Sequence, residues 1–245
     1  MPNTRLHTVD QLLDILDEVV AASGRGDRSQ KSAAGFWTEM LTKPGHPLGT
    51  RLPDETLVDW HERGLLDELH GARVLDIGCG SGRNSRWFAD QGATVEGIDL
   101  AAPLLESVRS TMPESVRLTA TDFLRDPLPA GQFDVVYDSG CFHHIAPHRR
   151  LTYLERLASA LRPGGLFGII TFAAGSVDTP SDRQVLTDGD SGGGMTFGLG
   201  DLQEIFGHLT PVELRAVRTD REATFGADFL NAGLFSSAAR HPTAG

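Results

Sequence analysis

Cysteine is scarce: Cys79 and Cys141 are the only two in 245 residues. That excludes a disulfide-stapled scaffold and leaves free thiols as the expectation. Long apolar runs are also missing, so no transmembrane helix is expected. The opening MPNTRLHTVD has no basic segment leading into an apolar core. A secretory signal is therefore not expected, and the cytoplasm is the default compartment. Basic residues are in deficit, with 22 Lys and Arg against 33 Asp and Glu and a net charge of −11. Such a surface repels polyphosphate backbones, which argues against a nucleic-acid substrate. The small cluster His148-Arg149-Arg150 reads as a solvated helix start. No internal repeat is visible. What remains is a 40% hydrophobic, 22% charged composition, ordinary for a soluble protein of one large domain or one domain with a cap.

Two textures divide the chain. Residues 1–70 read as a helical cap. Thr8 and Gln11 form a capping-box pattern ahead of Leu12, Leu13, Leu16, Val19 and Val20 at helical spacing. A polar loop is expected over Ser23–Gln30, a short helix over Ala33–Leu41, and a third helix from Asp54 to Gly64. From residue 71 to 245, short β-rich runs alternate with helical ones. Strands are predicted at Val74–Ile77, Thr94–Ile98, Val116–Thr119, Phe133–Tyr137 and Leu166–Phe172, with two more near Val212–Val217 and Leu230–Phe235. Apolar runs of this length, separated by crossover helices, predict an α/β doubly wound, mostly parallel sheet. The glycine-rich Asp188–Asp201 reads as a mobile loop, its Gly192–Gly194 run as a substrate lid or a flexible connection, and the tail from Ser236 as frayed.

The first strand runs into VLDIGCGSGRN, with Gly78, Gly80 and Gly82 at every second position. In an open parallel sheet, ligands bind beyond the carboxyl ends of the strands, and glycines there let a ligand approach the backbone. Asp99 ends the second strand, where an acid can accept hydrogen bonds from ribose hydroxyls. An adenosine-like ligand is therefore expected. The loop is G-x-G-x-G rather than the dinucleotide G-x-G-x-x-G, and it lacks the Gly-Lys-Ser/Thr ending of a phosphate loop. Asp76 stands just ahead of it, where a pyrophosphate would cost several kcal/mol of repulsion at low dielectric. A cationic ligand end turns the same charge to advantage, which points to S-adenosylmethionine with its sulfonium and ammonium.

VLDIGCGSG followed by GIDL resembles the cofactor motifs of the class I S-adenosylmethionine-dependent methyltransferases. FDVVYDSG resembles the family's fourth-strand motif, and LRPGGLF its turn into the fifth strand. The four motifs occur in order over Ala72–Phe172. The resemblance implies a Rossmann-like seven-stranded sheet whose last strand is antiparallel. It implies that Asp76, Gly78, Cys79, Gly80, Gly82, Asp99, Leu100, Asp122, Phe123, Asp138 and Ser139 bind the cofactor. Asp76 and Gly78 would lie by the methionine end, Asp99 at the ribose, Asp122-Phe123 at the adenine, and Asp138-Ser139 by the methionine portion and the acceptor. The segments around Phe36-Trp37 and PDETLVDWHERGLL loosely resemble the cap of the thiopurine, thiol and halide methyltransferase branch, without a clear copy of its tryptophan-containing signature.

The implied reaction is in-line transfer of methyl to an N, O, S or C atom of a small-molecule acceptor. His143 and His144, in GCFHHI, are the candidate catalytic residues, since an imidazole titrates near neutrality. Each has the alternative reading of a packed or capping residue. Phe36, Trp37, Tyr137, His143 and His144 are the candidate acceptor contacts. No metal is expected, because adjacent residues rarely ligate one ion together. Cys79 reads as a steric fit and Cys141 as structural. Trp60 and Trp87 read as packing. Three alternatives stay open: a non-catalytic cofactor-binding module, a methyltransferase acting on protein or nucleic acid, and an aminopropyl-transferring enzyme. Oligomeric state is left open as well.

Overall fold

A computed structural model describes residues 5–22, 28–66, 68–129, 132–190 and 192–238. Three helices open the chain: α1 (Val9–Ala21), α2 (Ala34–Thr42) and α3 (Glu55–Glu62). Then come β1 (Arg73–Ile77), α4 (Arg83–Asp90), β2 (Thr94–Asp99), α5 (Ala102–Arg109), β3 (Val116–Ala120) and β4 (Phe133–Ser139). They are followed by α6 (Arg150–Ala160), β5 (Leu161–Ala173), α7 (Asp182–Asp188), β6 (Thr196–Phe197), α8 (Leu199–Ile205), β7 (Thr210–Ala216) and β8 (Leu230–Ser236).

The strands lie in the order β3-β2-β1-β4-β5-β8-β7. Parallel pairing runs from β3 to β5, and β8 is antiparallel to both β5 and β7. The expected seven strands and the antiparallel last one are present. An eighth, the two-residue β6, pairs parallel with β5 inside the stretch read as loop. The sheet order reverses between β1 and β4, and the loops after these two strands share one crevice.

Period-two alternation sends Tyr137 of β4 to one face and Val136 to the other. Tyr137 joins Leu57 and Trp60 of the α3 segment, Val74 and Phe88. Val136 joins Tyr153, Phe167, Phe206 and Phe235 on the opposite face. Helix α3 thus forms one of the two layers on the sheet, continuous with the core rather than set above it. Its indole Trp60 donates to Glu213 on β7 at 2.9 Å.

Local chemistry accounts for the departures from expectation. Thr8 caps α1 by accepting from the Gln11 amide at 3.2 Å, but the Gln11 side chain accepts from the His7 amide, one residue before the cap. Helix α7 was missed although Ser181 and Gln184 form a capping box and Gly189 ends it in the left-handed region. Strand β5 begins at Leu161, because the Pro163-Gly164-Gly165 turn is absorbed into an irregular stretch beside β4. The predicted loop Ser23–Gln30 and the tail lie partly outside the described residues, at 23–27 and 239–245.

Helix α1 is docked by charge. Asp17 meets His148 Nε2 at 2.8 Å and Arg125 at 3.0 Å and is also paired with Arg149. The cluster read as a solvated helix start is therefore buried against α1. No helix of the described residues is long and apolar enough to cross a membrane.

Candidate active site

Strand β1 delivers the glycine loop to the crevice, and α4 starts directly after it. Gly78 has φ 64°, and a Cβ there would stand 2.8 Å from Cys141 Cβ. Gly82 has φ 73°, and its Cβ would meet the Met112 methyl at 2.9 Å. Both positions favour glycine for their left-handed backbone, and Gly78 for space as well, since the Met112 methyl at Gly82 can move aside. The close approach of Gly78 to Cys141 joins the loop after β1 to the loop after β4.

Asp76 is almost wholly buried and accepts from the Ser85 hydroxyl at 2.6 Å. Burial pushes its pKa up to about 7, against the pull of that hydrogen bond and of Arg83. It lines a small cleft of about 50 Å³ with Gly78, Gly80 and Ser139. Arg83 borders this cleft, donates to Ser139 Oγ at 3.1 Å and pairs with Asp54 at 2.6 Å. Asp54 also accepts from Asn84 and from the Tyr137 hydroxyl, each at 2.8 Å. This clasp fixes the start of α3 against the start of α4.

Asp99 and Asp122 line a second, larger cavity of about 360 Å³, together with Gly78, Leu100, Phe123 and Ser139. Asp99 accepts from the Gly80 amide at 2.9 Å and the Ala101 amide at 2.8 Å, one per oxygen. Each carboxylate oxygen keeps further acceptor capacity. Burial raises the Asp99 pKa, and the backbone donors oppose that shift. Asp122 accepts from the Leu124 amide at 2.8 Å and pairs with Arg125 at 3.1 Å. Phe123 packs edge-on to Tyr153 with centroids 5.0 Å apart.

The same cavity continues past Cys141 to His143 and His144 and is closed by Phe36, Trp37, Phe172 and Phe229. His143 stacks on Phe172 at 3.9 Å, and the His144 ring lies 4.7 Å from Trp37. The Nδ1 atoms of both imidazoles are buried without a hydrogen-bond partner. Burial lowers the His143 pKa to about 3 and pulls His144 well below its usual value. Gly193 contributes to the wall, and the Met195 amide donates to the His143 carbonyl at 2.7 Å.

Most predicted residues are thus brought together, with three corrections. Tyr137 is fully buried on the α3 side of the sheet and bonded to Asp54, away from the cavity wall. Asp138 is turned inward on the other face. Its carboxylate accepts from the Cys141 amide at 2.8 Å, the Phe142 amide at 3.2 Å and the Tyr153 hydroxyl at 2.8 Å. It anchors the loop after β4 and is not part of the wall, and burial pushes its pKa up to about 6. The low basicity of His143 also corrects its reading as a general base poised near neutrality. Cys79 and Cys141 are free thiols. Burial raises both, so neither is an activated nucleophile. Trp87 packs edge-on against His61 and Phe88.

Sequence reasoning missed Arg28, Met40, Leu48, Phe172, Phe225 and Phe229, which all line the larger cavity. Phe225 comes from the segment between β7 and β8. It arrives through paired backbone bonds to Pro53 and Glu55, which no local pattern announces. Among the described residues, no three His, Cys, Asp or Glu side chains gather as a metal-ligand set.

Residues 74–165 match the model of a methyltransferase domain. An uncharacterised methyltransferase of Mycobacterium bovis is 33% identical over 130 residues, which are 51% of this chain and 62% of that one. The ubiquinone biosynthesis O-methyltransferase of Idiomarina loihiensis is 38% identical over 104 residues, 40% of this chain and 42% of its own length. The chain spans about half the length of the curated relatives it matches. In fold, it is similar to the 1,6-didemethyltoxoflavin-N1-methyltransferase of Burkholderia thailandensis. That structure has a TM-score of 0.55 at 22% identity, with 96% of this chain and 93% of the other covered.

Proposed function

We propose that the chain, whose residues 74–165 match the model of a methyltransferase domain, is a class I S-adenosylmethionine-dependent methyltransferase that methylates a small-molecule acceptor. One observation carries the reading. A single cavity runs from the glycine loop and Asp99 to an apolar, aromatic chamber at His143 and His144. Cofactor and acceptor can therefore meet in one half-open cavity, as transfer between them demands.

The residues present suit the cofactor. Asp99 keeps acceptor capacity for ribose hydroxyls beyond its two backbone donors. Asp122 and Phe123 offer a polar edge and an apolar face to an adenine. Asp76, Gly78 and Ser139 would hold the methionine end, where a cationic ligand stabilises the ionised form of a buried acid. When bound, the cofactor supplies a methyl on a sulfonium, open to in-line attack. The chain's own part is alignment and exclusion of water, worth ~7–11 kcal/mol when geometry is good.

His143 and His144 act as neutral hydrogen-bonding groups that orient the acceptor. A group whose pKa burial drives to about 3 does not retain a proton taken from the acceptor at neutral pH. The acceptor therefore brings its own nucleophilicity or gives up its proton to solvent. The net charge of −11 favours small acceptors over nucleic acid.

The test is methyl transfer from labelled cofactor across amines, phenols, carboxylates, thiols and halides. Labelled product with at least one class supports the reading. Tight binding of S-adenosylhomocysteine with no product from any class would leave a cofactor-binding module and sink the enzymatic proposal.

A further inference from the structure

The charged side chains of the larger cavity divide by sign. Asp99 and Asp122 stand on the side of the glycine loop, and Arg28 is the single arginine or lysine of the wall among the described residues. Its guanidinium carbon lies 4.7 Å from the Phe36 ring centroid. It forms no ion pair with any described residue, in contrast to other buried or half-buried arginines of the chain. Arg83 is held by Asp54, Arg125 by Asp17 and Asp122, Arg149 by Asp14 and Asp17, and Arg150 by Asp182.

The position of Arg28 is fixed from both sides. Its carbonyl accepts from the Trp37 indole at 2.8 Å, and the Trp37 ring reaches His144. Arg28, Phe36, Trp37 and His144 thus make one corner of the chamber. Phe172 continues the flat wall behind His143. A half-buried guanidinium stacked on an aromatic face, with no acid paired to it among the described residues, is suited to receive an anion. The cofactor's own carboxylate does not account for it. On the proposed reading that group would lie with the methionine end, at the cleft where Arg83 stands beside Gly78 and Ser139.

We propose that the methyl acceptor is a planar, largely apolar molecule bearing one anionic substituent, and that Arg28 selects for that charge. The inference rests on the methyltransferase reading of the same cavity. Phe36, Trp37 and Phe172 supply the flat contacts. Arg28 supplies the charge-assisted hydrogen bonds that a neutral analogue forgoes.

Two dyes test it: 8-anilino-1-naphthalenesulfonate, and N-phenyl-1-naphthylamine, which shares the ring system without the sulfonate. Both are titrated by fluorescence, with and without S-adenosylhomocysteine, and made to compete so that only the shared cavity is read. The wild-type chain should prefer the sulfonate by ~10-fold or more, with the preference shrinking as salt is raised. Arg28→Met should abolish the preference while the neutral dye keeps its affinity, and Arg28→Lys should restore part of it. Equal affinity for the two dyes, a preference that survives Arg28→Met, or failure of the dyes to compete would overturn the proposal. Circular dichroism of each variant reports folding. Binding of S-adenosylhomocysteine, measured on the same samples, is a separate readout. Its absence would sink the methyltransferase reading and leave the charge preference of the cavity standing on its own.

Discussion

At the scale of single residues, two titratable groups carry distinct expectations. Asp76 has its folded pKa raised to about 7 by burial, above an unfolded value of 3.8. Its contribution to stability is therefore complete below the unfolded value and is lost as pH rises through about 7. A cationic cofactor end reverses that penalty by favouring the carboxylate. Affinity for S-adenosylhomocysteine should accordingly be flat above pH 7 and fall by up to ~10-fold per unit below it, with a proton released on binding. Calorimetry in buffers of different ionisation enthalpy counts that proton. Flat affinity between about pH 5.5 and pH 8, with no release, would move the ammonium away from Asp76. The second group is His143. Its neutral role predicts that His143→Gln lowers turnover by ~10-fold or less, where loss of a general base costs ~10²–10⁴-fold. With cofactor saturating at every pH, so that Asp76 does not contribute, the wild-type rate should show no inflection near pH 6.5, the ordinary imidazole value. A loss beyond ~10²-fold, or that inflection, would restore the base assignment.

At the scale of elements, the Asp54 clasp decides how the helical N-terminus meets the sheet. Asp54 holds Arg83, Asn84 and Tyr137 at once, and its amide donates to Asn84 Oδ1 at 3.0 Å. Asp54→Ala would strand a buried guanidinium, at a cost of ~3–5 kcal/mol. Denaturant unfolding should show that loss, together with weaker S-adenosylhomocysteine binding, because Arg83 also steadies Ser139 at the cleft. Asp54→Asn, which keeps two hydrogen bonds within reach, should lose less. Near-wild-type stability of Asp54→Ala would mean that α3 is held by Leu57, Trp60 and the ion pairs of Glu55 and Asp59 with Arg215 and Arg218. This coupling of α3 to α4 was not legible beforehand. The helix start at Asp54 was visible, but its partners lie 29 to 83 positions along the chain.

At the scale of the whole molecule, acidity and cofactor choice act together. The net charge of −11 and the lack of a phosphate-binding Lys in the loop both disfavour polyphosphate ligands. S-adenosylhomocysteine at ~100 times its Kd should stabilise the fold by ~2.7 kcal/mol. For a chain of this size that raises Tm by ~5–10 °C. NAD and ATP at the same concentration should leave Tm unchanged. A rise with NAD and none with S-adenosylhomocysteine would overturn the functional reading.

The parts that the sequence by itself determined are those written in contiguous stretches. Strand, glycine loop and helix follow one another from Val74 to Asp90, so the motif, its place at the sheet edge and the acid at Asp99 were all readable. The alternation of strands and helices determined the doubly wound sheet in the same way, because period and turn chemistry are local. Burial and side-chain direction are not. Asp138 and Tyr137 are neighbours in one motif, yet the strand's two-residue period sends them to opposite faces, one clamping a loop and the other closing the Asp54 clasp. The basicity of His143 depended on how completely Phe172 and its other neighbours exclude water. Phe36, Trp37, His143 and His144 of the larger cavity were readable in the sequence, and tertiary structure decided the rest. Arg28, Phe172 and the pair Phe225 and Phe229 come from three separate segments, and only folding of the N-terminal helices and the β7–β8 connection onto the parallel sheet places them around one space.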